Sequence, residues 1–78
     1  VFFGLGELKQ AAGDTAAAAG WFEKASQADP NWAKPLVRLG QAALTRGDRT
    51  EAARFMARAI EVDPTAPEAD TARSALTS

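Results

Sequence analysis

An all-α fold of stacked antiparallel helix hairpins is what this sequence predicts, and three observations carry the prediction. The chain resembles itself when shifted by 34 residues, a Gly-Asp pair divides each unit, and an Asp-Pro pair closes it. The shift aligns Leu5 with Leu39, Gly6 with Gly40, Gly13 with Gly47, Asp14 with Asp48, Ala18 with Ala52, Ala19 with Ala53, and Ala25 with Ala59. Asp29-Pro30 falls on Asp63-Pro64 without a gap. These identities sit on turn residues and small packing residues, where geometry constrains the choice.

At Gly13-Asp14 and Gly47-Asp48 the glycine can take the left-handed conformation that ends one helix, and the aspartate can cap the next. Each unit is therefore a pair of helices. Asp48 is followed three residues later by Glu51, the spacing of a capping box, whereas the first unit has Ala17 at that place. The Asp-Pro pairs stop the second helix of each unit, because proline disfavours helical geometry in the residue before it and has no N–H to donate. Asn31 and Thr65 follow these stops and are read as the next caps, Thr65 with Glu68 three residues on and Pro67 in the first turn. Helices are thus expected near 1–12, 15–28, 33–46, 49–62 and 66–77.

Within the units, Gly6, Ala18 and Ala25, matched by Gly40, Ala52 and Ala59, permit close backbone approach. Phe2, Leu5 and Phe22, answered by Leu36, Leu39 and Met56, fill the space between paired helices at helical spacing. A single hairpin cannot bury that stripe, so units must stack.

Composition narrows the function classes. The chain has 78 residues, enough for one small domain, and its 46% hydrophobic content is rich in alanine with only six aromatic residues. There is no cysteine and no histidine, so no disulfide, no thiolate ligand or nucleophile, and no imidazole base. Acidic residues such as Glu61 and Asp63 read as solvated loop carboxylates, and the serines and threonines lack a histidine to activate them; no catalytic site, no metal site and no cofactor is expected. No apolar run reaches the ~18 residues that span a bilayer, so no membrane insertion is expected. The opening Val1-Phe2-Phe3-Gly4 is neither a signal peptide nor an initiator methionine and reads as the start of an excised fragment.

The 34-residue helix-turn-helix period, with Phe2, Leu5, Gly6, Ala18, Phe22, Ala25 and Pro30 and then Leu36, Leu39, Gly40, Ala52, Met56, Ala59 and Pro64, resembles the tetratricopeptide repeat. The resemblance implies a right-handed α-solenoid: residues 1–30 a first repeat, N-terminally truncated, 31–64 a second, and 65–78 a capping helix. Lys9 and Ala43 stand where an aromatic is expected three residues after the glycine, and Met56 replaces a phenylalanine. From Thr65 the pattern fails, with Asp70, Arg73 and Ser74 at the positions of the large residue, leucine and glycine, which suits a polar-faced cap.

Relatives hold extended peptides or partner helices along the groove lined by the first helix of each repeat, and that face maps here onto Phe3, Glu7, Gln10, Lys34, Val37, Arg38, Gln41 and Thr71. A protein–protein interaction scaffold is the function this implies, with a protein or peptide as partner. A purely structural role, as the end of a longer solenoid or an appendage to a catalytic domain, is the rival. The lysine-asparagine clamp with which some relatives hold chaperone tails is not reproduced, since Glu7 and Gln41 occupy the positions of its asparagines.

Residues 34–62 carry Lys34, Arg38, Arg46, Arg49, Arg54 and Arg58 against Asp48, Glu51 and Glu61. Arg54 and Arg58 lie at helical pairing distance from Glu51 and Glu61. With a pI near 5.2 and no interleaved aromatic platform, no nucleic acid is expected as partner. Trp32 is assigned to packing over the turn between units and Trp21 to contact with a further surface. The apolar Val1, Phe2 and Phe3 mark a possible self-association end, through which the chain would form a homodimer.

Overall fold

The computed structural model describes residues 1–77. Five helices follow one another: α1 (Phe2–Ala11), α2 (Thr15–Ala28), α3 (Ala33–Arg46), α4 (Arg49–Val62) and α5 (Pro67–Thr77). There is no strand among the described residues. α1 packs on α2 and α3 on α4 as hairpins, α2 packs on α3 to join them, and α5 lies on α4 and α3. The helix limits match the sequence expectation to within one residue, differing only at the ends of α1 and the start of α5.

Gly13 and Gly47 both have φ of +84°, the left-handed value that the Gly-Asp pairs predict. At each the closing turn is doubly bonded: Gly47 N–H donates to Leu44 O at 3.0 Å and Asp48 N–H to Ala43 O at 2.9 Å, with the same pattern from Gly13 to Gln10 and from Asp14 to Lys9. The aspartate side chains then accept from the first turn of the next helix, Asp14 Oδ1 from Ala17 N–H and Asp48 Oδ1 from Glu51 N–H, both at 3.1 Å.

Three expected caps are corrected. The capping box at Asp48 is only half made, because the Asp48 N–H that Glu51 would accept is already bonded to Ala43 O; the Glu51 carboxylate lies 3.8 Å from Arg46 instead. Asn31 does not cap α3: Trp32 occupies the cap position in extended geometry and provides no side-chain bond. Thr65 turns back to donate to Asp63 Oδ1, and α5 starts at Pro67, where the missing N–H costs nothing. Removing the Asp48 side chain (Asp48→Ala) is expected to cost about 1 kcal/mol, and Asp14→Ala less, since the bond from Asp48 is part-buried and that from Asp14 exposed. The shift in urea midpoint measures both.

The core forms two clusters that meet. One joins Phe3, Ala18, Phe22, Ala25 and Leu39; the other joins Ala33, Leu36, Val37, Met56, Ala59 and Ala72. Leu39 of α3 belongs to the first cluster, and half-buried Phe55 of α4 touches both, so the hairpins share one apolar interior. The small residues do what their spacing predicts. A Cβ on Gly6 would lie 2.5 Å from the Phe22 ring, and one on Gly40 would lie 2.8 Å from the Met56 methyl.

The two hairpins are unequal. Leu36 and Leu39 are buried, but their counterparts Phe2 and Leu5 are exposed and half-buried. α5 buries Ala69 and Ala72, the face toward the preceding unit. The positions that match Leu36 and Leu39 are Asp70 and Arg73, both exposed; they bond to one another at 3.0 Å, and Arg73 also donates to Pro64 O at 2.8 Å. Alanines suffice on the inner face because backbones approach closely there, while no helix among the described residues packs on the outer face of α5. Ser78, the last residue of the expected capping segment 65–78, lies outside the described residues.

Candidate interaction groove

α1, α3 and α5 bring the predicted groove residues onto one face, with two of them below its surface. Phe3 is 8% exposed and Val37 4% exposed. Both side chains therefore belong largely to the core: Val37 lines the groove only as its floor, and Phe3 is buried rather than displayed in the groove or at the apolar N-terminal end. The Phe3 ring packs against Phe22 at 5.2 Å and Trp32 at 5.0 Å between centroids, both tilted. Trp32 thus serves packing, as its place after Pro30-Asn31 suggests, but its partner is α1 rather than the turn alone.

Two cations lie over the same ring, Lys34 Nζ at 5.6 Å and the Arg38 guanidinium carbon at 5.5 Å from its centroid. Each such contact contributes about 0.5–1 kcal/mol at an exposed site. Arg38 is held further by α1: Nη1 donates to Gln10 Oε1 at 2.9 Å and Nη2 to Glu7 Oε2 at 3.3 Å. Glu7, Gln10 and Arg38 thereby form a latch between the first and third helices. The ion pair is partly solvent-exposed on both sides, so it adds only about 0.2–1 kcal/mol to stability.

Beyond the latch, Lys34, Val37, Arg38, Gln41, Glu68 and Thr71 line a shallow cavity of about 230 Å³. Among the described residues no carboxylate lies within 4.0 Å of Lys34. Glu68 is the groove residue that the sequence reading missed. The signal was present: shifting Lys34 by one repeat gives Glu68, just as Val37 gives Thr71. The site thus pairs a cation on α3 with an anion on α5.

The N-terminal end is only partly open. Val1 is fully exposed, but Phe2 stacks on Trp21 with ring centroids 6.2 Å apart, and Lys24 Nζ covers the same indole at 4.8 Å. Trp21 is therefore half-buried and engaged within the chain. Leu8, 68% exposed, adds to the apolar surface of α1, one turn beyond Leu5 and two beyond Val1 on the same stripe.

The helical pairings expected of Arg54 and Arg58 with Glu51 and Glu61 do not form. Glu51 turns to Arg46 across the α3–α4 turn instead. Among the described residues no group of three or more potential metal ligands converges, and no helix is long and apolar enough to cross a membrane.

No curated protein matches this chain. A family model described as tetratricopeptide repeat matches residues 9–76, from the last turn of α1 through nearly all of α5. Repeats of this kind mediate protein–protein interaction, binding proteins or peptides, and are typically non-catalytic. With Gly6 against the Phe22 ring, Gly40 against Met56, the Gly-Asp turns and the sequential hairpin packing all in place, the chain belongs to the tetratricopeptide repeat family.

Proposed function

We propose that this chain is an interaction module without catalysis of its own, and that it holds an extended peptide segment across α1, α3 and α5. The observation that carries the reading is the cavity between α3 and α5, where Lys34, Gln41, Glu68 and Thr71 offer a cation, an amide, an anion and a hydroxyl above a floor of Val37. Such a mixed set suits peptide backbone and polar side chains. The floor is core, so the groove is ordered before a ligand arrives and little conformational entropy is lost on binding. In this reading residues 1–30 and 31–64 act as the two repeats and 65–78 as the cap that completes the groove.

The latch shapes the ligand preference. Glu7 occupies one side of Arg38, so a peptide carboxylate reaching that guanidinium competes with an internal one. Glu7→Gln is expected to strengthen capture of acidic peptides by about two- to fivefold, the worth of one exposed ion pair. Fluorescence anisotropy with peptides obtained by display selection on the wild-type chain measures it.

Thr71→Arg tests the groove itself. Thr71 is exposed, so the fold should keep its helicity and melting temperature, while groove-selected peptides should bind about tenfold more weakly. Peptides that bind this variant as well as the wild type would remove the groove from consideration. The exposure of Val1, Phe2 and Leu8 favours a second reading, pairing of two copies through α1. A mass that rises with concentration in sedimentation, and that Phe2→Glu returns to the monomer, is its signature.

A further inference from the structure

α2 and α4 form a second furrow on a face apart from the α1–α3–α5 groove. On α4, Glu51, Arg54, Phe55 and Arg58 fall at the i, i+3, i+4 and i+7 positions of one stripe and line a depression of about 280 Å³. Phe55 and Arg58 also border an adjoining depression of about 370 Å³, whose far wall is Glu23, Ser26 and Gln27 of α2. The two depressions share Phe55 and Arg58 and so run together.

The furrow has an ordered apolar floor and one basic wall. Phe55 is half-buried and touches both core clusters, which fixes its ring where a ligand side chain would meet it. Among the described residues neither Arg54 nor Arg58 has a carboxylate within 4.0 Å, although Glu51 stands one helical turn from Arg54 and between Arg54 and Arg46. Glu51 is drawn to Arg46, which leaves both guanidinium groups free to take an external anion. The opposite wall differs in kind. It presents the exposed Gln27 amide beside the single carboxylate of Glu23, with Ser26 buried at its edge, so acidic groups are favoured only along α4.

From this arrangement we propose that the α2–α4 furrow is a second protein-docking site, and that its occupant is an acidic peptide segment in which an apolar side chain is flanked by carboxylates. The apolar side chain rests on Phe55, the carboxylates meet Arg54 and Arg58, and the peptide backbone meets Gln27. Charge complementarity selects this occupant: a basic segment would face two arginines, and a uniformly anionic one would meet Glu23.

The test uses the whole chain labelled with ¹⁵N and two synthetic peptides, one with a phenylalanine flanked by glutamates and one with lysines in their place. The acidic peptide is expected to shift the amide signals of Ser26, Gln27, Phe55 and Arg58. Its affinity should fall about tenfold in Arg54→Glu/Arg58→Glu and by a smaller factor in Arg54→Gln/Arg58→Gln, with circular dichroism unchanged because both arginines are exposed. The proposal is overturned if millimolar acidic peptide shifts nothing, if the shifts fall only on α1, α3 and α5, or if the lysine peptide binds equally. It is also overturned if a single-stranded RNA oligomer displaces the acidic peptide and binds the same residues more tightly.

Discussion

Phe22→Ala is expected to remove most of the folded population at 25 °C. The side chain is 1% exposed and is the most deeply buried large side chain of the first core cluster, touching Phe3 and filling the space that Gly6 leaves open. Truncating a buried phenylalanine costs about 3–5 kcal/mol, and a chain of this size has a total stability of the same order. Methionine at the same place should cost far less, because the second hairpin already pairs Gly40 with Met56 in the equivalent contact. Urea denaturation followed by circular dichroism separates the two. If Phe22→Ala lost less than about 1 kcal/mol, the first hairpin would not be the packed unit described here.

The next largest effect is expected from Gly6→Ala, with Gly4→Ala as its control. Alanine normally stabilises a helix over glycine by about 1 kcal/mol. At Gly4 nothing lies within 4 Å of the added Cβ, so that gain should appear in full. At Gly6 the Cβ would meet three ring atoms of Phe22 at 2.5–3.0 Å, and the ring is pinned by Phe3. Overpacking of this kind costs about 1–3 kcal/mol, which outweighs the propensity gain and should lower the melting temperature by several degrees. Gly40→Ala should cost less than Gly6→Ala, because the atom it meets first is the end of the flexible Met56 side chain. Combining Gly6→Ala with Phe22→Met should lose less than the sum of the single changes, since the clash and its relief share one space.

Much of the fold is written in the sequence, because the features that set it are local. The left-handed glycines at 13 and 47, the aspartate caps and the Asp-Pro stops each act within a few residues, and their 34-residue recurrence makes each reading check the other. What failed were the caps at Asn31 and Thr65 and the return half of the Asp48–Glu51 box. There, competing bonds such as Asp48 N–H to Ala43 O and Thr65 to Asp63 decide the outcome, and spacing alone does not rank them.

The candidate site was legible to a lesser degree, for a physical reason. The resemblance to the tetratricopeptide repeat implies a groove face, and mapping that face onto this chain selects Glu7, Gln10, Lys34, Arg38, Gln41 and Thr71 together with Phe3 and Val37. It does not say how deep a neighbouring element covers that face, so Phe3, roofed by Trp32 and the cations of α3, was misjudged as open. Charge pairing suffered in the same way. Arg38 takes its partners from α1, at residues 7 and 10, and Glu51 takes Arg46 in preference to its helical neighbours. Interactions across elements outcompete the i, i+3 pairs, whose contribution on an exposed helix is only a few tenths of a kcal/mol.

These two faces give the chain separable chemistry on one scaffold. The α1–α3–α5 groove carries a latched arginine, a lysine held over the Phe3 ring and an opposing glutamate, and the α2–α4 furrow carries two arginines that have no carboxylate within 4.0 Å among the described residues, beside a fixed aromatic ring. Both rest on the shared core through Val37 and Phe55, so each is supported by the same packing that Phe22 and Gly6 maintain.

The most direct test of the groove reading is to map a display-selected peptide onto the ¹⁵N-labelled chain by amide shifts. The account predicts that the perturbed signals cluster on Glu7, Lys34, Arg38, Gln41, Glu68 and Thr71, and that Thr71→Arg moves their titration to about tenfold higher peptide concentration while leaving the rest of the spectrum in place. Perturbations confined to Val1, Phe2 and Leu8, or unchanged by Thr71→Arg, would contradict it and move the recognition surface to another part of the molecule.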